Sequence, residues 1–131
     1  MARWRGSFVA TPEAGYVLRG EMAAIARECG LSDQRVGDVK LAVSEAVTNV
    51  VRHAYGRQKP GQVIATAHVE SGVLRIVIAD TGDGMAPRSD SPGLGLGLPL
   101  MAHLADVINV VRKAPGTEVH LTFACPAAQT G

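Results

Sequence analysis

The residues best suited to chemistry lie along one side of a helix predicted between Val36 and Tyr55. Glu45, Asn49 and His53 are spaced four residues apart, so they form one ridge on that helix. Along the ridge, the residues shift from the edge of the helix's apolar face into that face. A carboxylate or an amide at the border of a core needs a partner, because leaving it unpaired costs about 1–3 kcal/mol. The ridge therefore suits a binding site, although a solvated helix flank is the simpler interpretation.

A second candidate group follows a predicted strand at Asp80. The segment from Asp80 to Met85 reads DTGDGM, which places a carboxylate at the rim of the core. This carboxylate can accept a hydrogen bond from an exocyclic amine such as that of adenine, while Gly82 and Gly84 let the backbone approach a flat ring. Asp and Gly are also common in simple turns, so the segment alone leaves both interpretations open.

A third candidate group is the glycine-rich stretch between Pro92 and Leu100. It reads PGLGLGLPL, with a glycine at every second position leading into a predicted helix. Glycine-rich backbone followed by a helix N-terminus supplies the N–H groups that bind phosphates. The stretch is not a Walker loop, because no Gly-Lys-Ser/Thr sequence follows. It also differs from a dinucleotide-binding fingerprint, because it comes late in the chain and after a hairpin.

The elements that position these groups are predicted from hydrophobic periodicity and turn residues. Alternation from Trp4 to Ala10 predicts an edge strand, and Thr11-Pro12 begins a helix that Gly30 closes. Ser32 begins the next helix, which carries the ridge, and Gly56 ends it. Its apolar arc is made of Val36, Val39, Ala42, Val43, Ala46, Val47, Val50 and Ala54.

The second half of the chain predicts two hairpins and a third helix. The runs 62–69 and 73–79 form an antiparallel hairpin whose second strand is central. A helix over 98–106 and a closing hairpin of 107–112 with 118–124 follow the glycine-rich stretch. This order predicts an α+β two-layer sandwich, in which about three helices cover one face of a mainly antiparallel mixed sheet.

Composition limits the classes of protein to consider. The 131 residues suit one domain over 1–131, with a frayed tail from about residue 125. A hydrophobic content of 47% and a net charge of +1 argue against disorder and against direct nucleic-acid binding. Cys29 and Cys125 have no C-x-x-C spacing, so neither a zinc site nor a disulfide framework is indicated. No membrane span or signal stretch is apparent, which predicts a cytoplasmic protein.

The order of the motifs is more specific than any one of them. E-x-x-x-N-x-x-x-H on a helix precedes D-x-G-x-G after a strand and G-x-G-x-G before a helix, and Gly116-Thr117-Glu118-Val119 closes the series. With this order the chain resembles the Bergerat-fold ATPases, the superfamily of gyrase, the sensor histidine kinases and the mismatch-repair ATPases. The resemblance covers nearly the whole chain. The compact size and the segment SEAVTNVVRHAY look most like the bacterial anti-sigma factor serine/threonine kinases.

The resemblance implies a role for each matching residue. Glu45 would be the general base, and Asn49 would bind Mg²⁺ through its amide oxygen. His53 would join the nucleotide site, with a packed core histidine as the alternative. Asp80 would read adenine with support from Thr117. The glycine segments would supply the other ATP-binding residues: Gly82, Gly84, Met85, Gly93, Leu94, Gly95, Leu96, Gly97 and Leu98.

The function implied is a kinase that binds Mg-ATP, binds a sigma factor and phosphorylates a serine of a STAS-type anti-anti-sigma protein, as a homodimer. The alternative is an ATP-gated regulatory binding protein of the same fold without significant kinase activity. Ser91 and Pro92 favour it, because they stand where such kinases often carry a basic residue, and the lid over 86–92 is short. Arg88 is the nearest upstream basic residue. A metal hydrolase is disfavoured, because no H-E-x-x-H or similar ligand spacing is present.

Overall fold

The computed structural model describes residues 2–54, 61–82, 99–113 and 116–126, which form a five-stranded sheet and its helices. The strands lie in the order β1-β2-β3-β5-β4, and all four pairings are antiparallel. The α+β prediction is confirmed, although the described strands include no parallel pair. The elements are β1 (Ala2–Val9), α1 (Pro12–Glu28), α2 (Asp33–Asn49), β2 (Gln62–Glu70), β3 (Val73–Asp80), α3 (residues 99–104), β4 (Val107–Arg112) and β5 (Thr117–Ala124).

The core lies between the helices and one face of the sheet. α1 packs against β2, and α2 packs against β3 and β5. Side chains on one face of a strand recur every second residue, so alternate positions of the central strands point toward the helices. The residues at these positions are fully or almost fully buried: Val63, Ala65 and Ala67 on β2, Leu74, Ile76 and Ile78 on β3, and Val119, Leu121 and Phe123 on β5.

Helix α1 begins where the Thr11-Pro12 pair predicts. Thr11 has the extended backbone of an N-cap, but its hydroxyl donates to the carbonyl of Val9 at 3.5 Å and does not cap the helix. Pro12 suits the first turn, because the N–H it lacks has no partner within a helix. The helix ends at Glu28, and Gly30 follows at the predicted stop.

Helix α2 begins at the predicted N-cap and ends earlier than predicted. The Ser32 hydroxyl accepts a hydrogen bond from the N–H of Arg35 at 3.2 Å, which satisfies one free donor of the first turn. The α-helical geometry stops at Asn49, and Val50–Ala54 continue as a π-helical turn. A π turn holds more residues than an α turn, so the four-residue ridge does not extend unchanged to His53. Gly56, the predicted stop, lies outside the described residues.

Arg35 joins the first turn of α2 to the end of α3. Its Nη1 donates to the carbonyl of Leu104 at 2.7 Å and to Asp38 Oδ2 at 2.8 Å, and its Nη2 lies 3.1 Å from Asp106 Oδ1. Asp106 Oδ2 in turn accepts from the N–H of Ala124 at 2.7 Å. The predicted helix at 98–106 is thus present over 99–104 and is anchored to both α2 and β5.

Both predicted hairpins are present. The β2–β3 turn has Ser71 at φ 56° and Gly72 at φ 77°, the paired positive values of a two-residue type I′ turn. β4 pairs with β5 along its whole length. In the part of the chain that the structure describes, no helix has the length and apolar character needed to cross a membrane.

Candidate functional site

Asn49 is the last residue of α2 and the one buried residue with a polar or charged side chain among those described. Its exposed fraction is 8%, and its Nδ2 has no hydrogen-bond partner within the described ranges. A buried amide without a partner costs about 1–3 kcal/mol. The solvated-flank interpretation of the ridge is therefore wrong at Asn49. The position instead fits a residue whose polar partner is a bound molecule.

Glu45 lies one turn before Asn49 on the same side of α2. Its side chain is half-buried, whereas its neighbours Ala46 and Val47 are buried in the core. The carboxylate therefore lies at the border of the core, where solvent and a ligand can both reach it. The π turn after Asn49 packs against β3, the strand that ends at Asp80. The side chain of His53, in that turn, is outside the described part of the structure.

Asp80 is the last residue of β3 and lies on the helix-covered face of the sheet. In the strand register it is opposite Val63 on β2, which is fully buried, and opposite Thr117 on β5. Residues directly opposite each other in an antiparallel pair share a face. Asp80 therefore lies on the side of the sheet that the helices cover.

Two backbone N–H groups hold the Asp80 carboxylate. Oδ1 accepts from the N–H of Gly82 at 2.9 Å, and the backbone of Thr117 supplies a second hydrogen bond. Burial raises the pKa of Asp80 above its ordinary value, and the two hydrogen bonds partly oppose that rise. A carboxylate has about four acceptor positions, so two hydrogen bonds leave capacity for a ligand's donor.

Gly116 packs directly against the backbone of Asp80, a role that its place in the closing motif did not reveal. Its φ is +96°, a conformation that residues with a side chain rarely adopt. A Cβ at this position would collide with the Asp80 carbonyl oxygen and would lie 3.1 Å from the Cα of Thr81. Gly116 thus lets the start of β5 reach the end of β3. The only sequence signal for it was the Gly-Thr dipeptide.

The structure brings together three predicted site residues at the strand ends, Asp80, Gly82 and Thr117, and places two more, Glu45 and Asn49, on one helix flank. The other predicted site residues lie outside the described residues and stay predictions: Gly84, Met85, Gly93, Leu94, Gly95, Leu96, Gly97 and Leu98.

The donor set fits a magnesium ion that is bound mainly by phosphate. Within the described ranges no group of three or more His, Cys, Asp or Glu side chains could hold a metal. Mg²⁺ does not need such a cage, because it commonly takes one or two protein oxygens and completes its octahedron with phosphates and waters. Asn49 Oδ1 is a described oxygen that could serve as such a ligand, and the unpartnered Nδ2 of the same amide could donate to a phosphate oxygen.

A separate cavity of about 340 Å³ lies between α1 and α2. It is lined by Arg19, Ser44, Thr48 and Arg52 together with apolar side chains, and by none of the predicted site residues. The cavity is therefore distinct from the candidate nucleotide site.

Comparison with known proteins gives matches at the level of both sequence and structure. Residues 8–123 match the family model of the histidine kinase-like ATPase domain. The serine-protein kinase RsbW of Bacillus licheniformis is 36% identical over 116 residues, covering 77% of this chain and 72% of that protein. RsbW of Bacillus subtilis is 34% identical over 128 residues, covering 86% and 79%. The anti-sigma F factor of Pasteuria penetrans is 29% identical over 133 aligned positions, covering 91% and 88%.

Two solved structures share the fold. One holds the RsbU and RsbW domains of a Mycobacterium tuberculosis protein, with a TM-score of 0.74 and 23% identity. This chain aligns over 95% of its length but spans 32% of that solved chain. The other is the histidine kinase domain of the Erythrobacter litoralis EL346 blue-light activated histidine kinase, with a TM-score of 0.61 and 26% identity over 86% of this chain and 61% of the other.

Proposed function

The chain belongs to the histidine kinase-like ATPase family, and on that premise we propose that it is a serine/threonine protein kinase of the anti-sigma factor type. It binds Mg-ATP, binds a sigma factor and transfers the γ-phosphate to a serine of a STAS-type anti-anti-sigma protein. Relatives named as serine-protein kinases and as an anti-sigma F factor support this assignment.

The observation that carries the proposal is the buried Asn49 side chain, whose Nδ2 has no partner, on the same flank as Glu45. Its Oδ1 would hold the metal, and its Nδ2 would donate to a phosphate oxygen. A bound Mg²⁺ supplies charge neutralisation for the triphosphate. Glu45 lies one helical turn away, so it is placed beside the phosphate end of the nucleotide.

Glu45 acts on the hydroxyl of the partner's serine. Its half-buried carboxylate orients that hydroxyl and accepts its proton as the oxygen bonds to the γ-phosphorus. The bond from the γ-phosphorus to the β,γ-bridging oxygen breaks in the same displacement, and ADP leaves. A protein that only bound nucleotide would need Asn49 but would have no use for Glu45.

Asp80 selects adenine. Its carboxylate accepts a hydrogen bond from the exocyclic amine of the base. The hydrogen bonds from Gly82 and Thr117 leave acceptor positions free for this contact. Guanine carries a carbonyl oxygen at that position, so two acceptors would face each other and binding would be disfavoured. The close approach of Gly116 to the Asp80 backbone keeps this carboxylate at the end of β3.

Phosphoryl transfer from labelled ATP to the anti-anti-sigma partner tests the proposal. Glu45→Gln is expected to lower the transfer rate by about 100-fold or more, the usual contribution of a general base, with ATP affinity nearly unchanged. Glu28→Gln is the matched control, because Glu28 is exposed in the last turn of α1. Wild-type transfer rates in Glu45→Gln would refute the assigned role.

The second candidate is an ATP-gated regulatory protein without significant kinase activity. Ser91 and Pro92 favour it, because no basic residue stands directly before the second glycine segment. The two functions separate cleanly in the same assay. Stable label on a partner serine is expected only from the kinase, whereas the gated protein would bind the partner in an ATP-dependent way and leave it unlabelled.

A cytoplasmic homodimer completes the proposal. It rests on the resemblance to the anti-sigma factor kinases. Light scattering of the purified protein at several concentrations would measure its mass in solution, and a mass equal to that of one chain at all concentrations would exclude the dimer.

A further inference from the structure

The two cysteines of the chain, which their sequence spacing left unrelated, lie in contact in the fold. Cys29 is the residue after α1, and Cys125 is the residue after β5. Their sulfur atoms are 2.9 Å apart although 96 positions separate them in sequence. Both thiols are free, with exposed fractions of 7% for Cys29 and 0% for Cys125.

The backbone on each side of this contact is held independently. The N–H of Cys29 donates to the carbonyl of Ile25 at 3.1 Å, in the last turn of α1. The N–H of Cys125 donates to the carbonyl of Gly72 at 2.8 Å, in the β2–β3 turn. The contact is therefore made by two fixed elements. Cys29 Sγ donates to the carbonyl of Ala26 at 3.4 Å, and Cys125 Sγ has both Cys29 Sγ and the carbonyl of Phe123, at 3.8 Å, as acceptors.

We propose that Cys29 and Cys125 form an oxidation site that a peroxide-class oxidant converts into an intramolecular disulfide. The Cys29 sulfur first attacks one peroxide oxygen, the O–O bond breaks, and Cys29 sulfenic acid and water form. The Cys125 sulfur then attacks the Cys29 sulfur and displaces the hydroxyl group as a second water. The two sulfurs lose two electrons in total, and the peroxide gains them.

The order of the two steps follows from exposure. Cys29 is the more exposed residue, directly after a helix, whereas Cys125 is fully buried. Burial, together with the neighbouring Cys29, raises the pKa of Cys125 to about 12, so this group stays a protonated thiol and reacts poorly with an oxidant from solution. It is nevertheless in contact with the sulfur it must attack. Cys29 is thus the residue that reacts with the oxidant, and Cys125 then reacts with the Cys29 sulfenic acid to form the disulfide.

The bond lies away from the candidate nucleotide site. β5 pairs Thr117 with Asp80 at one end and Ala124 with Val73 at the other, and Cys125 follows that second end. A disulfide S–S bond is about 2.05 Å long, so the sulfurs need to approach by less than about 1 Å. Oxidation is therefore expected to leave nucleotide affinity unchanged and to raise the Tm, because the cross-link restricts the unfolded chain.

The test treats the whole protein with hydrogen peroxide and measures its intact mass after denaturation and alkylation. The expected product has lost two hydrogen atoms, takes up no alkylating reagent, runs as a single chain on a non-reducing gel and returns to the starting mass with dithiothreitol. Its Tm is expected to exceed that of the reduced protein. Dimedone, which traps sulfenic acids, is expected to label Cys125→Ala at Cys29 and to leave Cys29→Ala unlabelled.

Several outcomes would overturn the proposal. The first is that both thiols still react with the alkylating reagent after a peroxide treatment that fully oxidises a free cysteine peptide. The second is the formation of disulfide-linked dimers. The third is the addition of oxygen to Cys125 in place of the cross-link. A lower Tm after oxidation would show that the sulfurs are not positioned for the bond. The mass of the oxidised wild-type protein tests disulfide formation even if either alanine variant fails to fold.

Discussion

At the scale of one residue, the buried Asn49 side chain has a cost in the free protein. Its Nδ2 has no hydrogen-bond partner, which lowers stability, and a phosphate oxygen of a bound nucleotide would supply the missing acceptor. We predict that Asn49→Ala weakens Mg-ATP binding by about 10- to 100-fold, the equivalent of one strong polar contact. The Tm of the free variant should be unchanged or higher. Calorimetric titration and thermal unfolding measure the two effects.

Asn109→Ala is the matched control for this prediction. Asn109 is exposed on β4, so its removal should change neither the affinity nor the Tm. A large fall in Tm for Asn49→Ala without nucleotide would contradict the assignment, because it would show that the amide already has a stabilising partner.

Asp80 gives a second prediction at the same scale. Asp80→Asn keeps an oxygen that can accept from the N–H of Gly82 but loses the negative charge, and its amide can present a donor to the adenine amine. We expect ATP affinity to fall by about 10- to 100-fold. Titration with ATP measures the change, and Asp33→Asn, at an exposed position, is the control. Equal affinities would contradict adenine recognition by Asp80.

The raised pKa of Asp80 predicts how the stability of the wild type depends on pH. The folded protein holds this proton more tightly than the unfolded chain, so ionisation of Asp80 opposes folding. The penalty is present above the folded pKa and disappears as pH falls through the folded value toward the unfolded one. The Tm of Asp80→Asn relative to wild type should therefore be higher at neutral pH than at acidic pH. Thermal unfolding of both proteins across this range measures the difference.

At the scale of elements, Gly116 determines whether β5 can close against β3. We predict that Gly116→Ala lowers the free energy of unfolding by at least about 1–3 kcal/mol, because a Cβ there meets the Asp80 backbone in a conformation unfavourable to side chains. Urea unfolding measures the loss. ATP affinity should fall as well, because the Asp80 carboxylate is displaced.

Gly37→Ala is the contrasting substitution. Gly37 lies inside α2, and a Cβ there would have no atom within 4 Å. Alanine favours helix more than glycine, so this variant should be more stable by about 0.5–1 kcal/mol with unchanged ATP affinity. If both glycine variants changed stability in the same direction, the close approach at Gly116 would not be the cause.

Local patterns in the sequence predict most of the elements and fewer of the contacts. Alternation and helical spacing located all five strands, and Ser32 and Thr11-Pro12 located two helix starts, because these signals depend on neighbouring residues. The π turn at Val50–Ala54 was missed, since over one turn an apolar run fits either helical period. The Cys29–Cys125 contact was missed as well, because it depends on how α1 meets β5 and leaves no spacing signal.

The candidate site was predicted in the same uneven way. The order of motifs identified the family, which the comparisons confirm. It also assigned Asp80 and Thr117 to one site, and the two are opposite each other in the sheet, although the contact is made by the Thr117 backbone and the predicted role of its hydroxyl stays a prediction. It did not reveal that Asn49 is buried, because a residue at the edge of an apolar arc can be either buried or exposed. Burial is set by the sheet that packs against α2, not by the helix sequence.

At the scale of the whole molecule, nucleotide binding should be measurable as stability. A ligand that binds only the folded state adds about 2.7 kcal/mol when its concentration is about 100 times Kd. We therefore predict a rise in Tm with Mg-ATP, a smaller rise with ATP and EDTA, and almost none with GTP, whose base carries a carbonyl oxygen in place of the adenine amine that we propose Asp80 binds. Differential scanning fluorimetry measures all three. Equal shifts with ATP and GTP would contradict adenine selection.

The last of the described strands, β5, occupies an interior place in the sheet, between β3 and β4. A nascent chain that has emerged from the ribosome only as far as β4 can form the β2–β3 hairpin, but the outer edge of β3 stays open and β4 has no neighbour. Asp80 can pair with Thr117 only after β5 has emerged as well. Newly made protein is thus expected to bind nucleotide only after β5 has left the ribosome.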